Sequence, residues 1–173
     1  MKCIFGILTF SMLLISFVSE GQPDRLLQVR EKDHYKILKE DSVVDYFGDK
    51  LPISSDLKLT DFGKYPNFSE LRFCNSRKSG DTLVLTITGG NEAIDHHYEI
   101  KVFHSRFVIK YSFQTSGGEP TEIRQDSCSL VLDSSDFRKG KIIRGHTEFR
   151  GKCLKGCYKT DIHIVGNFKT IIN

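Results

Sequence analysis

Histidine and cysteine are the side chains of this sequence best suited to chemistry, and their spacing limits what they can do. His96-His97 is the one place where two histidines stand together. Adjacent residues on a strand point to opposite faces, so these rings would not converge on a single metal ion. Beside the turn after Gly90 they read as solvated loop residues. Cys153-x-x-x-Cys157 could suggest zinc, but no second pair of suitable spacing accompanies it. In an oxidising compartment each of these cysteines is expected to be half of a disulfide. There is no Gly-x-Ser-x-Gly elbow, no phosphate-binding glycine loop and no His-Glu-x-x-His helix. No nucleophile-and-base pair emerges either, so the sequence reads as a non-enzyme with no metal and no cofactor.

The compartment follows from the first residues. Met1-Lys2-Cys3 precedes an apolar run from Ile4 to Val18, broken only by Gly6, Thr9, Ser11 and Ser16. One positive charge before such a run and small residues after it mark a secretory signal. The run is shorter than the roughly 20 apolar residues a membrane-spanning helix needs. Ser19 and Gly21 place the expected cleavage between Gly21 and Gln22, giving a signal peptide over residues 1–21 and a single domain over 22–173. No later segment is apolar for long enough to span a bilayer, so the expected product is secreted, extracellular and monomeric. Cys3 leaves with the signal, and Cys74, Cys128, Cys153 and Cys157 read as two disulfides of open connectivity. Asn67-Phe68-Ser69 is a glycosylation sequon and marks a surface loop. The formal net charge of +3 is spread along the chain, and its densest patches, 72–78 and 138–155, are interrupted. A nucleic-acid partner would want a denser block.

Two kinds of element must carry these residues. Over 24–48, Leu26, Leu27, Val29, Tyr35, Ile37, Leu38, Val43, Val44 and Phe47 recur at loosely helical spacing among charged residues. Asp24 and Asp33 are possible caps and Gly48 a stop. Pro52, Gly63 and Pro66 then punctuate a loop-rich stretch. From Leu71 onward the period is two. Leu83, Leu85 and Ile87 form one alternating set, Tyr98, Ile100 and Val102 a second, and Phe107, Ile109, Tyr111 and Phe113 a third. Leu130 and Leu132 follow Cys128, and further short runs cover 142–143, 147–149, 158–165 and 168–172. Turn signals fall at Asn91, His104-Ser105, Gly117-Gly118, Asp133 to Asp136, Gly145, Gly151 and Gly166. The expected fold is mainly β, an antiparallel barrel or sandwich.

In a barrel of about eight strands, those twelve alternating residues would line a cavity able to hold one small molecule. None of them is Asp or Glu. A buried cationic amine would therefore lack a countercharge, whereas a sterol such as cholesterol or a fatty acid suits the lining. The alternative is a filled core with function on the loops around Asn91 to His97 and Ser116 to Pro120, engaging a host immune-cell or plasma protein.

Taken in order, these features resemble the lipocalins of tick saliva. The likeness lies in the signal peptide, the Gln22-Pro23-Asp24 start, the amphipathic N-terminal stretch and the antiparallel strands with four cysteines. The most specific local match is Asp126-Ser127-Cys128-Ser129-Leu130-Val131-Leu132, similar to the segment where a cysteine opens a late barrel strand. Cys74, after Leu71-Arg72-Phe73, and Cys153-Leu154 are similar to two further family cysteines. The general lipocalin tryptophan is missing, because the chain has none. The resemblance implies an up-and-down lipocalin-like barrel with an N-terminal helical segment. It also implies pairing of Cys128 with Cys153 and of Cys74 with Cys157, and a carrier that sequesters small mediators or lipids and modulates host defence.

Overall fold

Alternating apolar and polar residues bury one face of a strand and leave the other wet, and neighbouring strands must then pair to satisfy their backbones. The computed structural model describes residues 25–29, 42–44, 50–60, 70–91, 94–118, 121–157 and 161–173. Twelve strands occur there: β1 (Arg25–Leu26), β2 (Gln28–Val29), β3 (Ser42–Val44), β4 (Lys50–Pro52), β5 (Leu57–Thr60), β6 (Glu70–Ser79), β7 (Thr82–Asn91), β8 (Ile94–Phe103), β9 (Arg106–Thr115), β10 (Glu122–Leu132), β11 (Ile142–Lys155) and β12 (Asp161–Ile171). Ten of them make one sheet in the order β1-β9-β8-β7-β6-β5-β12-β11-β10-β2, and β3 pairs with β4 separately. Every pairing is antiparallel except that of β2 with β10.

The three long strands foreseen between residues 83 and 113 are present, in register. Leu85 faces Ile100, and Ile100 faces Ile109 in turn. The β8–β9 hairpin turns through His104-Ser105, with His104 at a φ of 56°. Elsewhere the sequence reading needs correction. Within 24–48, residues 25–29 and 42–44 are extended rather than helical, and no helix occurs among the described residues. The rest of that stretch, the signal peptide and Asn67 lie outside them. The loop-rich stretch contains β4 and β5, and Leu57 and Leu59 of β5 are buried. β5 also joins β6 to β12, so the chain's last strand pairs with an early one.

Gly145, Gly151 and Gly166 are not turns. They lie inside β11 and β12, which are continuous where four short runs were expected. A Cβ on Gly145 would meet the Phe168 ring and come within 2.8 Å of Leu132 Cδ2, and one on Gly166 would sit 2.6 Å from Leu57 Cα. These glycines serve close approach of neighbouring groups.

The cysteine pairing implied by the family resemblance is overturned. Cys153 and Cys157 are bonded to each other, with Cα atoms 6.1 Å apart, while Cys74 and Cys128 are free thiols. Register explains this. Cys153 faces Ile123 of β10, whereas Cys128 lies five residues further along that strand, opposite Phe149. At the usual strand rise that is about 15 Å, far beyond the reach of a disulfide. Cys74 touches Thr170, near the end of β12, while Cys157 follows β11 at the end where Lys152 pairs with Asp161.

Candidate ligand site on the inner face of the sheet

The buried hydrophobic side chains, Val84 apart, form one cluster, and all twelve residues expected to line a cavity belong to it. β7 contributes Leu83, Leu85 and Ile87, and β8 contributes Tyr98, Ile100 and Val102. Phe107, Ile109, Tyr111 and Phe113 come from β9, with Leu130 and Leu132 from β10. The sheet curls far enough for strands that are not neighbours to meet across this face. Tyr98 and Tyr111 both place their rings edge-on to Phe149 of β11, with centroids 6.1 and 6.0 Å away.

Polar atoms within the cluster are paired across it. Thr147 Oγ1 donates to the Ser129 carbonyl at 3.0 Å, which uses its only proton. The Tyr98 hydroxyl, 2.9 Å from the same oxygen, is therefore the donor to Thr147. Burial pushes the phenols of Tyr98 and Tyr111 well above their ordinary range, so both stay neutral. His96 is the residue that sequence reasoning misplaced. It lies in β8 rather than a loop, is fully buried, and holds Tyr111 Oη 2.8 Å from its Nδ1. His97 is exposed on the opposite face, as adjacent strand residues must be. Tyr98, Ile100 and Val102 carry the signal, since two steps back in the same phase is His96. The buried polar residues among those described are Ser55, Ser76, His96, Thr147 and Thr170, none of them acidic.

A second polar group lies where β9 and β10 meet. No ladder joins these two strands among the described residues. Instead residues 25–29 span them: Arg25 faces Phe107 of β9, Gln28 faces Val131 of β10, and Leu27 N–H donates to the Ser105 carbonyl at 2.7 Å. At the other end Thr121 clamps Phe113, its hydroxyl donating to the carbonyl at 2.8 Å and accepting from the N–H at 3.1 Å. Between these ends Gln125 Nε2 donates to Cys128 Sγ at 2.8 Å. Burial raises the Cys128 thiol above its usual range, and the nearby Arg25 charge and Gln125 amide only partly offset that. Arg25 Nε and Gln125 Oε1 are buried without a hydrogen-bond partner.

Two hollows among the described residues touch the cluster at Phe113 and at Cys74. One of about 170 Å³ is formed by Asp95, His97, Ser112, Phe113, Gln114 and Thr121. The larger, about 760 Å³, is an open groove between residues 52–54, 73–75 and 169–173. The described residues hold no group of three or more metal-ligating side chains, and no helix among them is long and apolar enough to cross a membrane.

Outside the inner face, Thr60, His163 and Glu148 form a hydrogen-bonded row across β5, β12 and β11. Thr60 Oγ1 is 2.7 Å from His163 Nδ1, and His163 Nε2 is 2.9 Å from Glu148 Oε1. The order matches a nucleophile, base and orienting carboxylate. Thr60 also donates to the His163 carbonyl at 3.3 Å, and Glu148 is shared with Arg150, so the row is a cross-strand ladder of an outer face.

No protein-family model, curated protein or solved structure matches this chain.

Proposed function

We propose that this chain is a secreted lipocalin-like carrier that sequesters a small apolar ligand, a sterol or a fatty acid. One observation carries the reading: the buried cluster is a continuous aromatic and aliphatic face with no acidic member, contributed by strands of one large, mostly antiparallel sheet. The strand order supports closure into an up-and-down barrel. Consecutive strands are neighbours from β5 to β9 and from β10 to β12, β12 returns to β5, and residues 25–29 bridge the remaining edges. A disulfide between Cys153 and Cys157 accords with an exported protein. Modulation of a host's immune or inflammatory response is the role that the likeness to tick salivary lipocalins adds.

The test is mass spectrometry of an organic extract of the purified, secreted protein, followed by titration with cholesterol and oleic acid. One equivalent of a co-purifying lipid, or saturable binding of either probe, is the expected result. A protein that carries no lipid and binds neither probe is not a carrier.

A second reading has its own support. Both described hollows open to the surface, and the smaller one is lined in part by Asp95 and His97. A protein-binding module would use such an exposed surface. A single stoichiometric partner recovered from host plasma, with no lipid in the extract, would favour it.

A further inference from the structure

The polar group at the β9–β10 seam has a chemistry that the apolar face does not explain. Arg25 is on the inner side of the sheet, because cross-strand partners share a face and its partner is the buried Phe107. Its neighbour Leu26 is 75% exposed, as the residue pointing the other way should be. The Arg25 charge acts on the Cys128 thiol of β10, the strand that the same segment joins three residues on, where Gln28 pairs with Val131. Gln125 reaches the same thiol from β10, alongside Ile123, which packs against the core. A guanidinium and a primary amide thus converge on one weakly polar sulfur, each with a buried atom unpartnered.

Leaving such atoms unpaired is costly, and more so for a charged group. Cys128 cannot supply the missing charge, since its thiol is held protonated. None of the buried polar residues described is acidic. Arg25 Nε lacks an acceptor and Gln125 Oε1 lacks a donor; a carboxyl group brought in from outside, attached to something that belongs on the apolar face, can accept from the first and, when protonated, donate to the second.

We propose that Arg25 and Gln125 form a head-group site for the carboxylate of a long-chain fatty acid, whose tail lies along the aromatic face beyond Cys128. This rests on the carrier reading and narrows its ligand from any apolar guest to an acid. A carboxyl group suits the amide in either orientation. As the anion it accepts from Arg25 and from the Gln125 NH₂, whose oxygen then takes the thiol proton; as the neutral acid it donates to Gln125 Oε1. A neutral alcohol could form the hydrogen bonds but would leave the guanidinium charge unmatched.

Oleic acid and oleyl alcohol share a tail and differ in the head, so their relative affinities for the full secreted chain test the site. The wild type should prefer the acid, and Arg25→Gln should weaken oleic acid by about 10- to 100-fold while leaving the alcohol nearly unchanged. Arg25→Lys should retain part of the preference. Gln125→Leu keeps the charge and the strap, and should still reduce the preference for the acid. Equal affinities in the wild type, or an Arg25→Gln effect common to both ligands, would overturn the head-group site while leaving the carrier reading intact. If neither compound binds the wild type, both fall.

Discussion

The hydroxyl of Tyr98 donates to Thr147 Oγ1 across 2.9 Å, joining β8 to β11 although those strands are not neighbours in the sheet. Tyr98→Phe removes that bond and nothing else of size. Thr147 keeps its own bond to Ser129, so the loss should be about 1 kcal/mol, read from the midpoint of urea denaturation. A variant as stable as the wild type would show that the two faces do not meet at this point.

Gly145 gives a sharper test of how closely the inner face is packed. Phe168 and Leu132 occupy the space a Cβ would need. Gly145→Val should therefore destabilise by about 1–3 kcal/mol or more, whereas Gly140→Ala, in a turn with open space around it, is limited to the strain of its φ of 82°. Paired thermal melts of the two variants check the contrast.

The acid limb of stability should involve Glu148. Arg150 and then His163 hold its carboxyl below the ordinary value of 4.5. A folded-state pKa below the unfolded one stabilises the fold at higher pH, and that contribution fades as pH falls through the folded value. Glu148→Gln should consequently lose stability near neutrality and show a flatter decline in acid. Denaturation midpoints followed from about pH 6 to about pH 3 would reveal it. Parallel profiles for the two proteins would contradict the assignment.

Thiol labelling separates the cysteines. Peptide mapping without reductant should recover Cys153 linked to Cys157. Cys74 is 5% exposed and burial pushes its thiol far above the usual range, so it should resist alkylation until the chain is unfolded. Cys128, only partly buried, should react sooner. Recovery of a Cys128–Cys153 peptide would restore the pairing that the family resemblance implied.

How much could be read in advance depended on how local each signal was. Leu83 to Ile87, Tyr98 to Val102 and Phe107 to Phe113 declared themselves because long alternating runs have one good solution, a half-buried strand. β5 was missed because Leu57 and Leu59 make only two turns of the pattern between punctuating residues. Gly145, Gly151 and Gly166 looked like turns because glycine marks both turns and close approaches, and only the neighbouring strand distinguishes them. Leu26, Leu27 and Val29 mimic helical spacing, yet Leu26 pairs with β9, Val29 with β10, and Leu27 bonds the turn that precedes β9. The aromatic face was legible and the polar seam was not. Arg25, Gln125 and Cys128 become one group only through a register that no local pattern records.

The bridge made by residues 25–29 bears on the order in which the chain can assemble. Arg25 waits for Phe107 and Gln28 for Val131, partners that emerge from the ribosome roughly 80 and roughly 100 residues later, and such distant pairings are the slowest to form. The hairpins β6–β7 and β8–β9 can form while synthesis continues, because their halves are adjacent in the chain. This early strap is thus among the last segments to dock, and until it does the edges of β9 and β10 stay open to other chains.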